Sequence, residues 1–222
     1  MNRHDATEAA GIVERMMVNL ATCIPSRGRP GSDARVAIGT VRAKALVLLM
    51  NDAIGPPLDA AFDATYEAGA TLPQIEGVRR QVALEAPTSL GAVMVTQAGI
   101  NLCLATEGRI IADMTFISRQ DVEQIKSFIA IPFADSEETA ADAMDSMTFQ
   151  ALIGLHAAIT NHLVTTALPL PRMIGYRFFE PLPTLVMAYR LYNDASRGDN
   201  VRNENKVVHP AFCPMTGLAL SA

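Results

Sequence analysis

Apolar side chains recur every three or four residues along the first three-quarters of this chain, and the stripes they form predict a run of helices. Ile12, Val13, Met16, Met17, Leu20 and Ala21 share one stripe, so a first helix is expected from Asp5 or Thr7, either of which can cap it, to about Cys23. Ile24-Pro25 ends it, and residues 25–32 (PSRGRPGS) hold too many Gly and Pro to be anything but loop. Ser32 or Asp33 then caps a second helix to about Ala53, carrying Val36, Val41, Leu46, Leu48, Leu49 and Met50 and stopped by Gly55-Pro56-Pro57. Two shorter helices are expected over 58–68 and 73–86, the second with Pro73 in its first turn, where a missing N–H costs nothing.

From Pro87 to Thr106 no charged residue occurs, a length that must be tested as a membrane span. It fails on content. Gln97, Asn101, Gly91, Gly99, Ser89 and three Thr dilute the apolar side chains, and no basic flank or aromatic belt marks an interface, so a helix buried on most faces is expected. Ser118-Arg119-Gln120-Asp121 reads as a capping box for a helix with Val122, Ile125, Phe128 and Ile129, which Pro132 limits or kinks. Asp135-Ser136-Glu137-Glu138 repeats the start signal for another helix, and a further apolar helix spans 149–168 until Leu168-Pro169-Leu170-Pro171 ends it.

The pattern then changes. A short strand is expected over 173–179, a helix over 184–192, a second short helix over 196–205, and an alternating edge strand over 215–221. The expected fold class is therefore mainly α: a multi-helix body over 1–168, with a sub-boundary near 114–118, followed by a small βααβ module over 172–222. Composition supports this reading. Half of the 222 residues are hydrophobic, chiefly unbranched or small, and 18% are charged, which excludes a disordered chain and favours helix. Of the twelve aromatic residues, Tyr176, Phe178, Phe179, Tyr189, Tyr192 and Phe212 fall in the last quarter.

A net charge of −5 without a basic cluster argues against direct nucleic-acid binding. Cys23, Cys103 and Cys213 are odd in number and far apart, which argues against a disulfide framework or a zinc site. The acidic amphipathic start is not a signal peptide, so synthesis and assembly in a cytoplasm are expected. No metal, cofactor or catalytic residue is assigned. His156 and His162 are six apart and face different ways, which points to structural roles; His209, before Pro210, is read as holding a turn. Cys103 lies inside the uncharged helix and is read as a packing residue, while Cys213, near His209, has no orienting acid or oxyanion site. Glu107 and Asp113 are read as solvated helix carboxylates, and residues 25–32 lack the Gly-Lys-Ser/Thr ending of a phosphate-binding loop. A non-enzymatic role is expected.

The run Leu185-Val186-Met187-Ala188-Tyr189-Arg190-Leu191-Tyr192-Asn193-Asp194-Ala195, followed by Asn205, His209-Pro210, Phe212, Pro214, Gly217 and Leu218, resembles the C-terminal signature of the DNA circularisation protein family of Mu-like phages. That family typically carries Gly where Asn193 stands here. The resemblance covers about residues 118–222 with fair specificity and 1–117 loosely. It implies a structural component of a contractile tail, in the baseplate or at the baseplate-proximal end of the tube, working in the virion. Other tail proteins would be its partners, and it would form a homo-oligomer within the assembly. Family members usually begin with a β-rich domain of about a hundred residues, whereas this chain is expected to open in helices. The module also resembles the LysM pattern, with Asn205 ending the second helix. Leu185, Ala188, Tyr189 and Val201 would then pack on Ile174, Tyr176, Leu218 and Leu220. LysM modules bind peptidoglycan through the loops after the first strand and after the second helix, which makes a cell-wall-binding accessory protein the alternative. Glu180-Pro181-Leu182-Pro183 replaces the usual Gly-Asp-Thr in the first of these loops.

Overall fold

A computed structural model of the protein describes residues 2–25 and 28–221; Ser26 and Arg27, within the expected 25–32 loop, lie outside the described residues. The described residues are mainly α-helical with one two-stranded sheet near the C-terminus. It divides into two compact units, one of residues 1–114 and 130–159, the other of residues 115–129 and 160–222.

In the first unit, α1 (Arg3–Thr22) buries Ala9, Ile12, Val13, Met16, Met17 and Leu20, the face its spacing predicts, although Ala21 is exposed. Its cap is Asn2, whose side chain accepts the Asp5 N–H at 2.8 Å, and neither Asp5 nor Thr7 serves. A carboxamide one turn upstream reaches the orphan N–H groups better than a residue already inside the helix. The second helix, α2 (Arg29–Met50), starts earlier than Ser32 or Asp33 because Pro30 is tolerated in a first turn. Gly28, at φ +103°, supplies the entry that a side chain would resist.

The buried face of α2 is Ala34, Ile38, Val41, Ala45 and Leu49; Val36 and Met50, expected on it, are exposed. Apolar residues lie on several sides of this helix, so its own pattern leaves the phase open and packing against α1 selects the face with small residues. Gly55-Pro56-Pro57 opens α3 (Gly55–Glu67) as well as following α2, the two prolines occupying positions that need no N–H. Then come α4 (Leu72–Ala83) and α5 (Leu90–Asp113), which holds the uncharged stretch and is buried along most of its length. Where α5 crosses α1, a Cβ on Gly99 would lie 2.4 Å from Met16 Cε, so glycine sets that close approach. Among the described residues no helix is long and apolar enough to cross a membrane.

Pro132 does not end its helix: α6 runs unbroken from Arg119 to Asp142, and the second start signal at 135–138 lies inside it. Pro costs a helix about 3 kcal/mol through the lost hydrogen bond and ring clash. The buried positions Val122, Ile129, Phe133, Ser136 and Ala140 continue in phase across it, and their burial offsets that cost. After α7 (Ser146–Ala167) the chain enters the βααβ module. Its order is β1 (Met173–Arg177), α8 (Thr184–Tyr192), a 3-10 turn (Ala195–Arg197), α9 (Gly198–Glu204) and β2 (Thr216–Leu220). The strands pair antiparallel, with Met173 opposite Leu220 and Arg177 opposite Thr216.

Within the second unit, the start of α6 carries the predicted capping box: Ser118 N–H donates to Asp121 Oδ2 and Asp121 N–H to Ser118 Oγ. Arg119 donates to the carbonyls of Leu168 and Leu170, and Gln120 pairs with the backbone of Met173. These side chains satisfy carbonyls at the end of α7 and one edge position of β1, groups that would otherwise need water.

Candidate functional site: the surface of the C-terminal module

The module closes on Asn205. Its Nδ2 donates to the carbonyls of Val201 and Leu218, both at 2.8 Å, and its Oδ1 accepts the Leu218 N–H at 2.8 Å. One carboxamide thereby ends α9 and satisfies the outer edge of β2. Beside it the Leu220 N–H donates to the Tyr192 hydroxyl at 3.0 Å. A Cβ on Gly217 would lie 2.1 Å from Asn205 Oδ1 and 2.6 Å from the Tyr176 hydroxyl, so the absence of a side chain at Gly217 makes room for the clamp. Asn193 ends α8 at φ +55°, a conformation that Gly and Asn adopt most readily.

Ala188, Met187, Val201, Tyr176, Ala219 and Leu220 are buried. The expected packing of Leu185, Tyr189, Ile174 and Leu218 into this core is not what the fold does: all four are about half exposed or more. The reason is helix phase. α8 turns Thr184, Met187 and Ala188 inward, with Leu191 beside them, and this i, i+3, i+4, i+7 stripe leaves Leu185, Val186 and Tyr189 on the outer side.

Two loops meet at the start of α8. The segment after β1 and the segment after α9 lie together, held by the Thr184 N–H donating to the Pro210 carbonyl at 2.7 Å and the Cys213 N–H donating to the Leu182 carbonyl at 2.9 Å. His209 holds the second loop, its Nδ1 accepting the Ala211 N–H at 3.3 Å, and its ring tilts against Phe212. The apolar residues these loops carry are left outside: Phe179 is fully exposed, Val208 93% exposed and Phe212 69% exposed. Of the ten residues singled out in the sequence, Ala188, Tyr192, Asn205 and Gly217 build the module's interior and hydrogen-bond frame. Pro210 and His209 join and shape its loops, and Leu185, Tyr189, Phe212 and Leu218 lie on its surface. Phe179 and Val208 were not singled out; no residue pattern separates an exposed loop aromatic from a buried one.

Elsewhere Glu107 departs from expectation. It is fully buried in α5, not solvated, and its Oε1 accepts from Arg79 Nε on α4 at 2.9 Å while Oε2 has no hydrogen-bond partner. Burial pushes its carboxyl above the usual carboxylate range, and the Arg79 guanidinium opposes the rise only in part. It is the first charge after the long uncharged run, which was the available signal that it sits on a buried helix. Asp113 accepts a hydrogen bond from the Tyr66 hydroxyl at the same helix's exposed end. His156 is structural, with Nδ1 3.0 Å from Glu137 Oε1 and its ring stacked on Phe133. The three cysteines are free and buried, and burial raises each thiol's pKa. Among the described residues no cluster of His, Cys, Asp or Glu could hold a metal ion. No protein-family model matches the sequence, and no curated protein matches it.

Proposed function

We propose that this protein is a structural component of a contractile phage tail, an adaptor that docks neighbouring tail proteins in the baseplate or at the baseplate-proximal end of the tube. The observation that carries the reading is the apolar surface left uncovered on the module: Phe179, Leu185, Tyr189, Val208 and Phe212 stand exposed on a domain whose frame is otherwise closed by side-chain hydrogen bonds. Large exposed apolar groups in one region mark surfaces that a partner covers. Together with the signature resemblance at 185–218, this favours a docking role, in the virion, with other tail proteins as partners and no nucleic acid bound directly.

The test is co-purification. The tagged chain should be recovered in purified virions together with tube or hub proteins, and the Phe212→Asp variant should be depleted from them. A chain that is absent from purified tails refutes the reading.

The juxtaposed loops after β1 and after α9 favour a second reading, a peptidoglycan-binding accessory protein. It is weaker on chemistry. Sugar recognition needs hydrogen-bond donors, and Glu180-Pro181-Leu182-Pro183 offers two prolines without N–H groups. Retention on purified peptidoglycan would reverse the preference.

A further inference from the structure

The first unit holds an open groove of about 540 Å³ that the docking reading does not use. Its floor is α5, which presents Gly91, Ala98 and Ala105 at seven-residue spacing. Thr148, Ala151, Leu152 and Leu155 of α7 form one wall at helical spacing, and the turn from α2 into α3 forms the other. Small residues repeating every seven positions between walls of larger ones are the geometry that admits another helix at close range. The rim is anionic: Asp52 and Asp59 line the groove, both are exposed, and neither joins an ion pair among the described residues.

A helix that fits these terms is carried by the chain itself. The outer face of α8 presents Leu185, Val186 and Tyr189 at one-turn spacing with Arg190 beside them, which lies 5.9 Å from the Phe178 ring centroid and joins no ion pair among the described residues. Charge is divided in the same sense. The unit with the groove holds ten Lys/Arg and seventeen Asp/Glu, net −7, whereas the unit with α8 holds eight and six, net +2.

We propose that α8 of one copy docks in the α5–α7 groove of a second copy, so that the protein self-associates head to tail. The inference deepens the assembly reading above by naming one partner as a second copy of this chain. Because the groove and the helix are different surfaces, the contact is heterologous and each added copy exposes a fresh groove and a fresh helix, as ring or tube assembly requires. Complementary charge steers the encounter and the apolar anchors hold it.

The test is sedimentation velocity on the full chain, wild type and two surface variants, Ala98→Glu in the groove floor and Tyr189→Asp on α8, each checked for retained helicity by circular dichroism. The wild type should form species beyond a dimer as concentration rises to roughly 100 μM, and each variant should weaken association at least tenfold. An equimolar mixture of the two variants should give a dimer and nothing larger, because it retains one intact groove and one intact helix. Raising salt from about 0.1 M to about 1 M, which shortens the screening length from about 10 Å to about 3 Å, should weaken wild-type association. A wild type that stays monomeric, or variants that fail to pair with each other while the wild type associates, would overturn the proposal. A monomer that is nevertheless present in purified tails would end this inference and leave the adaptor role standing; an oligomer absent from tails would do the reverse.

Discussion

Replacing Asn205 measures how the module is held together. Asn205→Ala removes three hydrogen bonds of 2.8 Å, one to Val201 and two to Leu218. At about 0.5–1.5 kcal/mol net for each neutral bond the loss lies between about 1.5 and 4.5 kcal/mol. The two bonds to Leu218 lie at an exposed strand edge where water replaces them, so the lower half of that range applies, about 2 kcal/mol. Asn205→Asp is the sharper probe. It keeps an acceptor for the Leu218 N–H but sets a carboxylate oxygen where Nδ2 donated to two carbonyls, so at neutral pH it should cost about 1 kcal/mol more than alanine. The repulsion raises the new carboxyl's pKa in the folded state above its unfolded value, so the deficit should shrink as pH falls and the group gains a proton it can donate. Urea unfolding followed by tyrosine fluorescence reads this once Tyr66 of the first unit is replaced by Phe, because the chain has no Trp and its other three tyrosines, Tyr176, Tyr189 and Tyr192, belong to the second unit. Equal losses for the two variants at neutral pH, or an alanine variant within about 0.5 kcal/mol of wild type, would refute the clamp.

Glu107→Leu alone should cost about 3–5 kcal/mol because Arg79 is left nearly buried and unpaired, whereas Arg79→Met with Glu107→Leu should recover most of it; simple additivity in a double-mutant cycle would contradict this. Glu8 of α1 is held by Ser89 and Thr88 at the start of α5, which lowers its pKa to about 2 from an ordinary 4.5. Its contribution is therefore complete above the unfolded value and is lost as pH falls toward 2, so Glu8→Gln should flatten that part of the acid limb; a carboxyl resonance titrating near 4.5 would be inconsistent. Pro132→Ala should stabilise α6 by up to about 3 kcal/mol, seen as a higher thermal midpoint, since it restores a helical N–H and removes the ring clash; a lower midpoint would mean that the proline ring fills space the fold needs.

The stripe Ile12 to Leu20 was legible because one face of α1 is apolar and the other is not. In α2 and α8 apolar residues lie on more than one side, and there spacing mixes the faces: Val41, Leu49 and Ala188 are buried as expected, whereas Val36 and Met50 in one helix, Leu185 and Tyr189 in the other, are exposed. Pro132, which limits or kinks a helix, and the start signal in the acidic run after it act locally, but the buried stripe from Val122 to Ala140 continues through them and prevails. Asn205 was readable as a helix end. That the same carboxamide also clamps Leu218, thirteen residues away, was not, and nor was the pairing of Glu107 with Arg79 on another helix.

The amino-acid sequence by itself determined the mainly helical class, the βααβ order at the C-terminus, and most of the starts and stops, because caps, prolines and turn residues act on backbone groups within a few positions of themselves. The tertiary structure decided which apolar faces turn inward and which are left over. Burial depends on partners distant in the chain, and a helix with more apolar surface than its own unit covers has no internal reason to prefer one side. The leftover surfaces, the α5–α7 groove and the outer face of α8, are therefore the part of this protein that its sequence pattern could not display and on which its proposed assembly rests.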